Sequence, residues 1–310
     1  MIPRPSDSDA ASAAADRVPL SGILLVLLAA AGFSAKAVII KLAYRYTVDA
    51  GTLLALRMIF SAPFFAVMAL WSGRGGSPLS RADWGAVAAL GFVGYYLASY
   101  LDFLGLVYIT AGLERLILFL YPTIVVLLSA WLLKTAIRAH HVVALALSYA
   151  GIALVFRESL VFGGAPRDVA IGGLLVFASG VAYSVYLIGV GGVIARIGAA
   201  RFTAYAMLAA CGFCLAQFLF THRFAALSLP LPVYALSLLM AIVSTVLPAW
   251  FMSEGIRRVG AHRAAMAGSI GPVATILLGY WFLGEPVSLS QLAGAAVVLA
   301  GVTLVGVRAR

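Results

Sequence analysis

The chain has 310 residues, of which 64% are hydrophobic and 10% charged, and its mean hydropathy is +1.07. A water-soluble domain is about 45–50% apolar and about 25% charged, so a shape solvated by water alone is excluded and most of the chain must meet lipid. The net charge of +10 comes from 21 Lys and Arg scattered in ones and twos between apolar runs, which is membrane-flanking charge and not a nucleic-acid footprint.

Residues 1–19, "MIPRPSDSDAASAAADRVP", are rich in Ala, Ser and Asp and lack the apolar core of a signal peptide. They read as a disordered cytoplasmic tail, with insertion directed by the first membrane helix. A spanning helix needs about 20 apolar residues. With Gly, Pro and charge clusters as breaks, the first spans are predicted near 20–43, 50–71, 84–108, 113–133 and 140–156, the fifth being the shortest. The adjacent His140 and His141 fall in a loop on different helix faces and make no metal site. A second set is predicted near 171–194, 201–220, 233–255, 261–283 and 289–307. Within it, "GVGGVIARIG" (189–198) has neither Rossmann nor P-loop spacing. Cys211 and Cys214 form a C-x-x-C inside an apolar run, with no second ligand pair nearby, and read as helix packing. No cofactor and no metal is implied, and without a nucleotide-hydrolysis motif any active transport must draw on a gradient.

Loop charge sets orientation. With a cytoplasmic N-terminus, thirteen Lys and Arg fall on the inner side, among them Arg74, Arg81, Lys134, Arg138, Arg257 and Arg258. Six fall on the outer side, Lys41, Arg45, Arg115, Arg157, Arg167 and Arg223. Lys and Arg are retained in the cytoplasm, so both termini are placed inside.

Sliding the chain against itself by 150 residues aligns 91–155 with 241–305 without a gap, with 14 of 65 positions identical. Leu and Ala matches are cheap in such a chain, but Gly105/Gly255, Pro122/Pro272, Trp131/Trp281 and Gly151/Gly301 are not. The same offset matches Gly22/Gly172 and Ser34/Ser184, and sets Phe33 against Tyr183. The unit is therefore five helices, used twice, over 20–156 and 171–307. Because five is odd, the second copy enters from the opposite side, and the halves are related by a two-fold axis in the membrane plane, as in secondary transporters with a midplane site. The fold expected is an all-α polytopic membrane protein of ten transmembrane helices, two inverted five-helix repeats around a central cavity. Duplication for stability alone is the other reading of the repeat.

The third-to-fourth-helix unit "GLVYITAGLERLILFLYPTIVVLLSAWLL", its counterpart "GIRRVGAHRAAMAGSIGPVATILLGYWFLGEP" and the closing "LAGAAVVLAGVTLV" resemble the EamA branch of the drug/metabolite transporter superfamily, over nearly the whole chain from about residue 20. The resemblance implies helices 1, 3, 4, 6, 8 and 9 around a cavity, with 5 and 10 to one side. It also implies a small-molecule substrate, commonly an amino acid for export, as in bacterial exporters of the aromatic amino acid or methionine type. The family's "GEP" after the ninth helix stands here as Gly284-Glu285-Pro286, whereas the first half has Lys134-Thr135-Ala136.

Charges inside spans are costly and mark function by default. Lys36, Arg57 and Asp102 each lie roughly 9–11 Å from the outer helix ends at 1.5 Å per residue, so Asp102 can pair with Lys36 or Arg57, as a gate, as a binder for a zwitterion's ends, or as a structural ion pair. Glu254, beside Arg257 and Arg258, either pairs there or serves as an inner gate or proton-coupling carboxylate. Glu114 and Arg115 open helix 4, where a glutamate suits the helix N-terminus. Tyr95, Ser99 and Asp102 form one stripe of helix 3, with Tyr96 adjacent, and Trp250 and Glu254 are i, i+4 on helix 8. Ser34, Tyr121, Tyr183 and Tyr186 extend the same candidate lining on helices 1, 4 and 6. Such a lining suits apolar or aromatic metabolites; the competing reading is an interfacial aromatic belt. Pro122 and Pro272 are expected to kink helices 4 and 9 and to shape or gate the cavity from opposite sides.

The leading expectation is secondary transport of small metabolites, most simply amino-acid export by a monomer in the lipid bilayer, and not an enzyme. Uptake or exchange of sugars or nucleotide-linked metabolites would want several cavity cations for phosphates. A membrane enzyme or sensor would want catalytic pairs or a soluble signalling domain, and neither is visible.

Overall fold

The computed structural model describes residues 20–74, 78–162 and 165–307, and across them it is all-helical. The tail expected at 1–19 lies outside the described residues. The helices in chain order are α1 (Leu20–Tyr44), α2 (Ala50–Gly73), α3 (Arg81–Tyr108), α4 (Ala111–Leu132) and α5 (Ala139–Phe162). They continue as α6 (Pro166–Ile197), α7 (Ala199–Thr221), α8 (Leu231–Val259), α9 (Ala261–Gly268, Gly271–Leu278 and Gly279–Leu283) and α10 (Leu289–Val307). Among the described residues nine helices are long and apolar enough to cross a membrane, and the apolar run of α10, Leu289–Leu304, is shorter. We call the face holding the start of α1 and the end of α10 the terminal face, and the opposite one the distal face.

Local chemistry accounts for the helix ends. Asp49 accepts from Thr52 N at 2.9 Å at the start of α2, a capping box of Ser80 and Asp83 opens α3, and Thr110 accepts from Leu113 N at 3.2 Å to open α4. Gly198 (φ +85°) and Gly260 (φ +82°) make the one-residue joints between α6 and α7 and between α8 and α9, a left-handed conformation that favours glycine. Helix α5 runs six residues past its predicted end at 156. Arg157 and Glu158 read as a stop, but the Glu158 carboxylate accepts from Ser290 Oγ at 2.5 Å beside α10, which leaves the helix free to continue.

The two halves meet through contacts that occur twice, offset by 150. A Cβ placed on Gly105 would lie 2.5 Å from Cγ2 of Val176 and 3.0 Å from the Gly172 carbonyl oxygen, so α3 and α6 touch almost backbone to backbone at the distal face. Its copy is Gly255, where a Cβ would lie 2.5 Å from Cγ2 of Val26 and 3.2 Å from the Gly22 carbonyl, which seats α8 on α1 at the terminal face. Likewise Gly151 of α5 faces the Gly294 carbonyl of α10, and Gly301 of α10 faces the Ala144 carbonyl of α5. In lipid no hydrophobic force holds helices together, so such close approach of small residues supplies the attraction. The polar contacts repeat too: Ser34 Oγ donates to the Gly271 carbonyl at 2.9 Å, and Ser184 Oγ to the Tyr121 carbonyl at 3.2 Å.

Both proline helices are interrupted at matching places. The α-helix stops at Phe119–Leu120 in α4 and at Ser269–Ile270 in α9, and each resumes with its proline, Pro122 or Pro272, in the new first turn. Wider π-helical turns also recur, at Gly91–Leu97 in α3 and Ile242–Val246 in α8. Trp131 and Trp281 sit exposed at opposite faces, as interfacial anchors do.

One set of contacts is not repeated. At the distal face α1 packs on the last half of α3 and the first half of α4, and α4 packs on Gly271–Leu278 of α9. The mirror pairs at the terminal face are α6 with the last half of α8, α6 with the first segment of α9, and that segment with Tyr121–Leu132. Among the described residues they show no comparable packing.

Candidate functional site

The unrepeated contacts are built from charge. Lys36 of α1 puts Nζ 2.5 Å from Oδ2 of Asp102 on α3 and 3.4 Å from Oε1 of Glu114 on α4. Asp102 and Glu114 are buried, at 1% and 0% exposure. One ammonium thus ties three helices of the first repeat together. At the equivalent positions the second repeat carries Tyr186, Met252 and Ala264, so the terminal face has no such latch.

Toward the distal end the closure continues. Lys41 Nζ donates to the carbonyls of Leu106 (3.2 Å) and Ile109 (3.0 Å), and Arg45 reaches the Leu283 carbonyl (3.2 Å). Cations suit the C-terminal ends of helices, and here α1 closes onto α3 and α9 through them. Glu285, in the "GEP" motif, accepts from the backbone N of Ala111 at 2.9 Å and of Gly112 at 3.4 Å, and so fastens the segment after α9 to the N-terminus of α4. Its counterpart is Thr135, which carries no carboxylate; that is why losing the motif in the first half leaves the distal closure intact. Replacing Glu285 with alanine is expected to cost about 1 kcal/mol, the size of a lost helix cap, read as a lower melting temperature. Reactivity of cysteines placed at the distal face should rise with it.

Arg57 is 8% exposed on α2 and lies across the two halves. Its Nε donates to Thr245 Oγ1 in the π-helical turn of α8 at 3.2 Å, NH1 reaches Ser99 Oγ at 3.5 Å, and the guanidinium stands 5.6 Å from the Phe103 ring centroid. The distal half of the core therefore carries cations and anions together.

The terminal half is aromatic. Tyr95 and Tyr186 join hydroxyls at 2.9 Å with rings 5.1 Å apart, Tyr183 stacks on Tyr186 at 5.6 Å, and Tyr121 meets Tyr183 edge-on at 5.5 Å. Phe202 of α7 backs this cluster, 6.2 Å from Tyr186.

The residues singled out from sequence thus fall into groups. Lys36, Ser99 and Asp102 join the charged end; Tyr95, Tyr121, Tyr183 and Tyr186 form the aromatic end; Ser34 is bonded at the α9 break beside Pro272. Tyr96 turns toward α7, between Tyr100 and Phe213, away from the tyrosine cluster. Trp250 is 61% exposed, and Glu254 binds Arg257 (2.5 Å) and Arg258 (2.8 Å) at the terminal end of α8. Arg57, an intramembrane charge offered from sequence as a partner for Asp102, belongs to the charged end, as do Glu114, expected only as a charge suited to a helix N-terminus, and Glu285, expected only as part of a motif. The signals were there, in a charge within a span and a motif present once. Cys211 and Cys214 are buried, Cys211 against Met58, and among the described residues no His, Cys, Asp or Glu cluster suits a metal.

Comparison with known proteins agrees with this architecture. An uncharacterized transporter of Bacillus subtilis, YcbK, is 29% identical over 297 residues, 93% of each chain. A second from the same organism, YyaM, is 26% identical over 223 residues, 69% of this chain and 70% of its own. A solved crystal structure aligns with a TM-score of 0.64 over 93% of this chain and 99% of its own, at 21% identity, which bears on the fold alone. The profile of the EamA-like transporter family matches twice, over residues 20–157 and 170–307. The chain belongs to the EamA-like transporter family, within the drug/metabolite transporter superfamily.

Proposed function

We propose that this transporter exports amino-acid-like metabolites across the bacterial cytoplasmic membrane by alternating access, with its terminal face toward the cytoplasm and its distal face outside. The observation that carries the reading is the division of contacts into repeated and unrepeated sets. Contacts present at both faces are common to a state and its two-fold mirror image, and form the frame. Contacts present at one face must exchange when the molecule inverts, and here they bind the distal face shut. A closed distal face supports entry of substrate from the terminal side, between the halves.

Substrate class follows from the two ends of that core. Cations and carboxylates lie distally and a tyrosine cluster lies on the terminal side, which matches a molecule with a zwitterionic head and an apolar or aromatic side chain. Phosphorylated sugars would want several cations not already engaged by carboxylates. Orientation rests on the Lys and Arg bias.

The test is transport by purified protein in proteoliposomes, with labelled phenylalanine, methionine, leucine, glucose and a nucleotide sugar. Movement of the amino acids, and not of the sugars, is the expected result. Movement of the sugar substrates alone would overturn the substrate class.

A further inference from the structure

We propose that the Asp102–Glu114 pair binds a proton, carried by Glu114 in the conformation described, and that this proton is the coupling ion of transport. The inference rests on the transporter reading and extends it to the driving force.

Three buried carboxylate oxygens have no hydrogen-bond donor. Oδ1 of Asp102 and both carboxylate oxygens of Glu114 are buried, and among the described residues nothing donates a hydrogen bond to them. Orphaned buried acceptors are rare and call for an explanation. Here they stand together, Asp102 on α3 and Glu114 on α4 both reached by the one Lys36 ammonium. Two carboxylates sharing one dry site repel, and a single proton both removes the second charge and supplies the missing donor. Lys36 decides which group holds it, because its Nζ is 2.5 Å from Asp102 and 3.4 Å from Glu114. Asp102 is the anion of the ion pair and Glu114 the acid.

Most of the surrounding charges are otherwise engaged; the exception is Arg115, whose Nε is buried without a hydrogen-bond partner among the described residues. On α1, Lys41 donates to the ends of α3. On α2, Arg57 is bonded to Thr245 and Ser99. On α4 itself, Arg115 extends toward Gly271. The segment Gly271–Leu278 of α9 carries no titratable side chain, Glu285 beyond it holds the α4 N-terminus, and Glu158 of α5 is bonded to Ser290. On α6 the titratable groups nearest this end are Arg167 and Asp168, both exposed in its first turn.

The step is a proton transfer to water: the O–H bond of Glu114 breaks, its electron pair stays on the carboxylate, and water takes the proton. With Glu114 neutral, α4 packs against α1 and α3 without a second buried anion. With Glu114 ionised, repulsion from Asp102 and the loss of hydration favour the arrangement in which water reaches α4. Protonation therefore shifts the balance between the two states, and one proton moves inward for each substrate moved out.

Two measurements test this. Infrared spectra of the purified protein at neutral pH are expected to show the carbonyl stretch of a protonated carboxylic acid, lost in Glu114→Gln and kept in Glu158→Gln. In proteoliposomes, Glu114→Gln, its folding checked by thermal unfolding in detergent, is expected to lose accumulation driven by a pH gradient. A spectrum without that band, a band that survives Glu114→Gln, or pH-driven accumulation by Glu114→Gln overturns the proposal. If the band behaves as expected while the wild-type protein moves no member of the panel, the proton site stands and the transport reading fails.

Discussion

Lys36→Met is expected to destabilise the protein by about 3–5 kcal/mol and to abolish transport. The substitution keeps the length of the side chain but removes the cation of the pair, leaving the Asp102 carboxylate buried without its partner beside the Glu114 acid. Breaking a buried pair from one side is costly because the remaining charge cannot be solvated, whereas removing both partners is often neutral. The double variant Lys36→Met/Asp102→Leu is therefore expected to recover most of the lost stability, with Glu114 left as a neutral acid. It should remain inactive, since the latch and the charged end of the site are gone. Thermal unfolding in detergent separates the two effects. Equal melting temperatures for Lys36→Met and the wild type would show that the ion pair is no part of the closed state.

The second large effect concerns the frame. Gly105→Leu and Gly255→Leu each insert a side chain where even a Cβ would stand 2.5 Å from the valine of the facing helix, Val176 or Val26. Backbone lies directly behind, so the neighbours cannot simply turn away. Overpacking of this kind costs about 1–3 kcal/mol. Because the two contacts are images of each other, the two variants should lose stability and transport to a similar degree, although one lies at the distal and the other at the terminal face. Asymmetric variants such as Glu285→Ala should instead alter the balance between faces with a smaller loss of stability. A well-tolerated Gly105→Leu beside a crippled Gly255→Leu would mean that the repeat is architectural history and not a working symmetry.

The frame could be read from the chain because it is written twice. Pro122 and Pro272, Gly105 and Gly255, and Ser34 and Ser184 each announce a position whose geometry is needed in both halves, and identity at a fixed offset survives even in a sequence dominated by Leu and Ala. The latch is written once, so the repeat says nothing about it. Glu114 shows the difficulty best. A glutamate in the first turn of a helix looks the same in sequence whether it faces solvent beside the helix dipole or the axis of the bundle, and only packing tells that it is fully buried beside Asp102. Arg57 lies on a helix with little apparent claim on the centre, yet its long side chain crosses to α8. The reverse holds for Trp250 and Glu254: their spacing puts them on one face of α8, but periodicity fixes the face relative to the helix and not the direction in which that face looks.

The central claim is that one frame supports two states that close opposite faces. It is tested most directly by electron-spin distances in a background with Cys211 and Cys214 replaced by alanine. One spin-label pair would sit at Tyr108 and Phe282 at the distal ends of α3 and α9, the other at Leu133 and Met266 at the terminal end, all four being exposed. In lipid, with a pH gradient and an exported amino acid present, each pair is expected to show two distances, the distal pair lengthening as the terminal pair shortens. Distances that stay single at both faces, or that lengthen together, would contradict the account.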